Sequence, residues 1–278
     1  MRTITALMYR NIKLFTRNRL QLILLLIMPY FYLYLISTIF KSVSINDSMN
    51  YVLAGIVIIV VFQTSLNIAT STIEDISSGY MKEVLVSPVK RVEIAIGQIL
   101  SSTTIASFQG ILILIIGYFF GMKYTTPITP LAIIAFMILI GIVFSSFGLF
   151  LAASVKNAQT FQIISVAVTT PITFLCGVYV PLSLLPNGLQ FLSLFNPMTY
   201  ATAFFRALSL EKLSVSADEL VAQELAFKIG NYVITPQMSV IIVALFGLIF
   251  IILSTIVFSK VDFTRVTRPS GNKDIFQQ

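Results

Sequence analysis

The sequence predicts an all-α polytopic membrane protein. It has six transmembrane helices, an N-terminal interfacial helix, a short cytoplasmic helix between spans two and three, and short outer-leaflet helices before the last span. Three observations carry this. First, 57% of the 278 residues are hydrophobic and only 10% are charged, against roughly 25% charged in a soluble domain. Second, six runs of about 20 mostly apolar residues, the length a helix needs to cross hydrocarbon, contain no Asp, Glu, Lys, Arg or His. Third, the basic residues fall unevenly on the two sides that those runs define.

Residues 1–19 precede the first run. Ile4, Met8, Ile12 and Phe15 share one helical face and Arg10, Lys13 and Arg17 another, the pattern of a helix lying in the membrane interface with its cations among headgroups. A frayed basic terminus is the plainer alternative. A cleavable signal peptide is not expected, because the following apolar run is long and no small-residue cleavage site follows it. The spans are expected at 20–40, 51–73, 96–120, 130–154, 161–180 and 238–258. Residues 181–237 form an outer segment. Its first part is too apolar for a solvated loop and is broken by Pro181, Pro186 and Pro197, which suits a stretch dipping into the outer half of the bilayer. The rest is a small polar cap with one surface helix, SADELVAQELAFK, capped by Ser216 with Glu219 three residues on. Residues 259–278 are a tail, and the whole chain reads as a single domain.

Thirteen of the eighteen Lys and Arg residues lie on the side of the two termini and five on the other, so the entire net charge of +7 sits on one face. The positive-inside rule makes that face cytoplasmic. The basic excess is then a topology signal, and a nucleic-acid partner is not needed to explain it. With no histidine and the single Cys176, an internal disulfide, a Cys/His zinc site and any histidine-based catalytic dyad are excluded. No GxxxxGK[ST] or GxGxxG motif is present, so the sequence offers no nucleotide-binding loop. Spans without ionisable groups other than tyrosine also disfavour proton-coupled carriers, which place such groups inside the membrane.

Two features inside the spans carry candidate chemistry. Gln63, Asn67, Thr70, Ser71 and Glu74 fall on one face of the second span, running to its cytoplasmic end. They are either interhelical hydrogen-bonding groups or one wall of a translocation route. In the first span, Tyr30 and Tyr34 of PYFYLY share a face. They suit either an amphiphilic substrate or an interfacial aromatic belt.

The segment GYMKEVLVSPVKRVE, residues 79–93, places five charges between two apolar runs on the cytoplasmic side. Ser78 caps a short helix over 79–86, and Ser87 caps the next, with Pro88 at its first position. Tyr80, Met81, Val84 and Leu85 beside Lys82 and Glu83 form a small docking surface, or an amphipathic elbow resting on lipid.

This segment resembles the cytoplasmic coupling helix of the type-2 ATP-binding-cassette exporter permeases, with Glu74, Gly79, Glu83, Pro88 and Arg91 at the matching positions. A second match is FLCGVYVPLSLLPNGLQFLSLFNPMTYATAFFRAL, similar to that family's C-terminal signature through Gly177, Pro181, Leu185, Pro186, Asn196, Pro197 and Tyr200. The resemblance implies a permease that pairs with a second copy, identical or not. It implies docking of a separate ATPase subunit, which binds the ATP and Mg, through 79–91, with Arg10, Lys13 and Arg17 as further contacts. The chain itself would need no cofactor and would not be an enzyme. The branch it is most similar to exports drugs, lipids or lipid-linked saccharides from the cell membrane. The alternative from another class is a non-transporting anchor or assembly factor, which would need neither the polar stripe nor the interrupted outer segment.

Overall fold

A computed structural model describes residues 2–20, 22–24, 27–31, 34, 48–81, 84, 89–119, 124–155, 157–229 and 232–260. Nine helices are numbered here: α1 (Arg2–Arg17), α2 (Ser48–Ser77), α3 (Arg91–Phe119), α4 (Ile128–Ser154), α5 (Ala158–Leu175), α6 (Asn187–Ser193), α7 (Pro197–Ser209), α8 (Ala217–Ala222) and α9 (Pro236–Lys260). A 3-10 turn (Leu182–Leu184) precedes α6, and strands β1 (Phe227–Ile229) and β2 (Tyr232–Ile234) precede α9.

Five of these helices are long and apolar enough to cross a membrane: α2, α3, α4, α5 and α9. They correspond to expected spans two to six. Of the expected first span, a shorter apolar helix, Leu22–Phe31, is described, and residues 35–40 lie outside the described residues. The tail beyond 260 lies outside them too.

The helix ends differ from the apolar runs for local reasons. α3 begins at Arg91, five residues before the expected span, because charged residues continue a helix into the interface where lipid excludes them from the core. Its 29 residues reach about 43 Å. α5 begins at Ala158 because the Asn157 side chain accepts a hydrogen bond from the Thr160 N–H at 2.7 Å. It ends at Leu175, short of residue 180, where Gly177 turns the chain at φ +81.

α2 is the central helix. It packs on α3, α4, α5 and α7, and Leu53, Val57, Ile58, Val61 and Phe62 are fully enclosed. α4 packs on α9, and α1 lies along α3. Small residues set the spacing, as expected where lipid supplies no driving force between helices. A Cβ added at Gly117 would sit 2.1 Å from Leu53 Cδ1, and one at Gly247 would sit 2.6 Å from Val143 Cγ2. The polar run of α3 is satisfied locally: Ser101, Ser102, Thr103 and Thr104 each donate to the carbonyl four residues back.

The outer cap corrects the expected surface helix. α8 stops at Ala222, and the residues that follow turn into an antiparallel hairpin with Phe227 opposite Ile234. The amides of Leu225 and Ala226 both donate to the Leu220 carbonyl (2.8 and 3.2 Å), and Glu224 takes φ +58. Its carboxylate accepts from the amides of Leu182 and Ser183 (3.1 and 2.9 Å), so it serves the 3-10 turn rather than a helix. The Ser216 side chain makes no capping bond. The chain is therefore mostly helical with one short hairpin, not all-α.

Candidate functional site

The polar stripe faces two clefts that follow one another along α2. The upper is about 490 Å³, lined by Gln63, Thr64 and Asn67 together with Ile56, Ile59, Val60, Leu24, Met28, Pro29 and Tyr179. The lower is about 530 Å³, lined by Asn67, Thr70, Ser71 and Glu74 with Asn11, Phe15, Ile105 and Gln162. Asn18 and Asn67 line both. The 4, 3, 1, 3 spacing thus puts all five stripe residues along one continuous surface. Gln63, Asn67 and Glu74 are exposed there, while Thr70 and Ser71 are half-buried. Interhelical bonding is also present: Gln162 Nε2 reaches Thr70 Oγ1 at 3.4 Å, and the Thr64 hydroxyl donates to Gln109 Oε1. Tyr30 and Tyr34 are exposed and line neither cleft, whereas the neighbouring Met28 and Pro29 line the upper one.

At the lower end α2 terminates in a turn. The Ser78 amide donates to the Glu74 carbonyl, the Ser78 hydroxyl donates to the Asp75 carbonyl, and Gly79 takes φ +86. Ser78 therefore closes α2 instead of capping a new helix. Tyr80, Met81 and Val84 are helical; Lys82, Glu83, Leu85 and Pro88 lie outside the described residues. The next helix starts at Arg91, with Lys90 providing the carbonyl that Glu93 and Ile94 bond, so Pro88 is not its first residue. Met81 is another correction. Far from presenting a docking surface, it is fully buried with Leu7, Ile76, Ile94 and Phe258, and Val84 packs against the same cluster. Arg91 Nη1 donates to the Ser259 carbonyl at 2.8 Å, tying the start of α3 to the end of α9.

Arg10 is not an open cation. Its guanidinium makes two bonds to Asp75, Nη1 to Oδ2 at 2.6 Å and Nη2 to Oδ1 at 2.5 Å, and its Cζ stands 4.0 Å over the Tyr80 ring. The hydrogen bond to Asp75 favours the charged guanidinium and raises the Arg10 pKa, against the opposing effect of burial. α1 is thereby clasped to the end of α2 and the first residue of the elbow. Next to it, Asn11 Nδ2 donates to Gln98 Oε1 at 2.8 Å, both buried. Lys13 and Arg17 are exposed, and Lys13 Nζ is 5.7 Å from the Tyr9 ring centre.

The signature residues of the outer segment build turns. Gly177 has the positive φ already noted. Pro181 and Pro186 immediately precede the 3-10 turn and α6. Asn196 caps α7, accepting from the Met198 N–H at 3.0 Å while donating to the Ile172 carbonyl at 2.8 Å. Pro197 is the first residue of α7, and the Tyr200 hydroxyl donates to the Leu194 carbonyl at 2.6 Å. Sequence reasoning counted Arg206 as a loop charge. It is 2% exposed, donates from Nη1 to the Gly177 carbonyl at 3.0 Å, and lies 3.8 Å over the Tyr51 ring. A lone charge inside the apolar stretch AFFRAL was the available signal. Gln98 and Gln109, eleven residues apart and hence on one face of α3, were a second.

Residues 2–210 match the model of the ABC-2 type transporter family. The chain belongs to the ABC-2 type transporter family. Among curated proteins it is similar to the putative transport permease ycf38 of Cyanophora paradoxa, 24% identical over 243 residues that cover 84% of this chain and 81% of that one. It is also similar to the inner membrane transport permease YadH of Escherichia coli K12, 29% identical over 159 residues, covering 57% of this chain and 61% of YadH. The match embraces α1 to α7, and so both clefts, the Arg10–Asp75 clasp and the outer turns; α9 follows it. This ABC-2 protein is a membrane transport permease.

Proposed function

We propose that this permease is the membrane subunit of an ATP-driven exporter that moves an amphiphile outward across the cell membrane. Two copies, or this chain and a related one, enclose the route, both termini face the cytoplasm, and a separate ATPase subunit holds the ATP and Mg. The observation that carries the reading is the pair of successive clefts along α2, joined through Asn18 and Asn67, polar at one end and apolar at the other. An anchor or assembly factor has no use for such a surface. The sequence contains no phosphate-binding loop, so the energy enters from a partner. It enters at the elbow after Gly79. Tyr80 is in contact with Arg10, so force applied there reaches α1 and the end of α2 together.

The test is isolation of the native complex followed by reconstitution. The co-purifying protein is expected to be an ATPase, and vesicles are expected to accumulate substrate only when both subunits and ATP are present. Glu83→Lys is expected to abolish ATPase association while leaving membrane insertion intact. Uphill transport by the purified permease alone would refute the proposal.

A further inference from the structure

We infer that the two clefts along α2 are one binding site for an amphiphile whose head carries hydrogen-bonding groups and no negative charge, with the head in the lower cleft and the apolar part in the upper. The inference deepens the exporter reading and relies on it only for the direction of travel.

The division of labour follows from the walls. Leu24, Met28, Pro29, Ile56, Ile59 and Val60 give the upper cleft its apolar side, and about 490 Å³ accommodates a chain or a fused ring system. Asn11, Thr70, Ser71, Glu74 and Gln162 give the lower cleft, of about 530 Å³, amides, hydroxyls and a carboxylate. The two share Asn67 and Asn18, so a single molecule occupies both without crossing a wall.

The sign of the head follows from what lines the site. Among the described residues, no Lys or Arg lines either cleft, and the lower one carries the carboxylate of Glu74. Arg10 adjoins the lining Asn11 but is committed to Asp75 and Tyr80. Arg17 and Arg19 flank Asn18 in sequence but are exposed and belong to neither wall. A phosphate head entering here would lose hydration, gain no cation and meet a like charge. A sugar or amide head is met by donors and acceptors, and an ammonium head also by a carboxylate.

The experiment is photolabelling of the purified permease in phosphatidylcholine nanodiscs. The probes are three dodecyl amphiphiles, each with a diazirine at the chain end and a glucosyl, a trimethylammonium or a phosphate head. Labelled residues are mapped by mass spectrometry, with yields normalised to labelling of the surrounding lipid. The glucosyl and trimethylammonium probes are expected to label Leu24, Met28 and Ile59 saturably, and the phosphate probe at least tenfold less. Glu74→Gln is expected to remove the advantage of trimethylammonium over glucosyl, and Glu74→Lys to raise phosphate labelling at least fivefold. Asn67→Phe, which fills the waist, is expected to lower labelling by all three while the melting temperature shows a folded protein. Equal labelling by the phosphate probe would overturn the inference, as would labelling confined to lipid-facing positions such as Ile163 and Ile249. No ATPase takes part, so failure of the exporter reading leaves this result standing, and a site indifferent to head charge leaves the exporter reading standing.

Discussion

Breaking the Arg10–Asp75 clasp tests whether α1 is held to α2 by a specific contact or merely rests against it. The pair is two-pronged, with bonds of 2.6 and 2.5 Å, and its side chains are 28% and 11% exposed. That places it between an exposed ion pair, worth about 0–1 kcal/mol, and a buried one, whose disruption costs about 3–5 kcal/mol. Asp75→Ala is expected to destabilise by about 2 kcal/mol, and Arg10→Ala by about 2.5 kcal/mol, because Arg10→Ala also removes the stack on Tyr80. The double variant is expected to lose about 3 kcal/mol, leaving a coupling of about 1.5 kcal/mol. Reversible unfolding in mixed micelles by SDS titration, run as a double-mutant cycle, measures all three. The raised Arg10 pKa fixes the pH behaviour of the guanidinium. Its contribution is complete below the model value of 12.5 and is lost only above it, so raising the pH from 6 to 9 should leave the arginine's side of the coupling unchanged. Strictly additive single variants, or a coupling under about 0.3 kcal/mol, would refute the specific clasp.

Three further outcomes are expected. Gly117→Ala should cost about 1–3 kcal/mol, since its Cβ would fall 2.1 Å from the enclosed Leu53. Adding Leu53→Ala should relieve the clash specifically, which thermal melting of single and double variants will show. Arg206→Ala should cost about 2–4 kcal/mol by leaving the Gly177 carbonyl and the Tyr51 face unpaired; Arg206→Lys should recover only part of this, because an ammonium does not reproduce the planar stack. Glu211 accepts from the Thr129 hydroxyl and from the amides of Thr126 and Thr125, which hold its pKa down at about 2. A lowered folded value means the tether is present above the ordinary carboxylate range and is lost as the pH falls towards 2. Amide exchange at Thr125 and Thr126, corrected for intrinsic rates, should therefore stay protected at pH 3.5 and lose protection in Glu211→Gln at every pH.

The membrane spans were legible because hydrocarbon imposes one rule on every position. A run such as 130–154 declares itself through the absence of charge, and α4 covers it. Helix ends were less legible, since they depend on single side chains: Asn157 starts α5 and Gly177 stops it. The stripe was readable by its spacing, and all five residues face the clefts. What faces them from elsewhere, Asn11, Gln162 and Tyr179, comes from helices brought together only by folding. Met81 shows the limit of local reasoning, because nothing within residues 79–93 reveals that Leu7 and Phe258 close over it. Asp75 was invisible for the same reason: its partner lies 65 residues away. The hairpin escaped notice because the alternation in FKIGNYVI is too short to outweigh the helix-favouring residues before it.

The brevity of α5 has a mechanical result. Its 18 residues measure about 27 Å, under the roughly 30 Å of a typical hydrocarbon slab. Lipid meeting that helix has to compress, and α6 presents Phe191 and Leu192 to the surroundings nearby. The permease thus pinches one patch of its own bilayer, where acyl chains pack poorly and a departing guest encounters the lowest resistance to mixing with the leaflet.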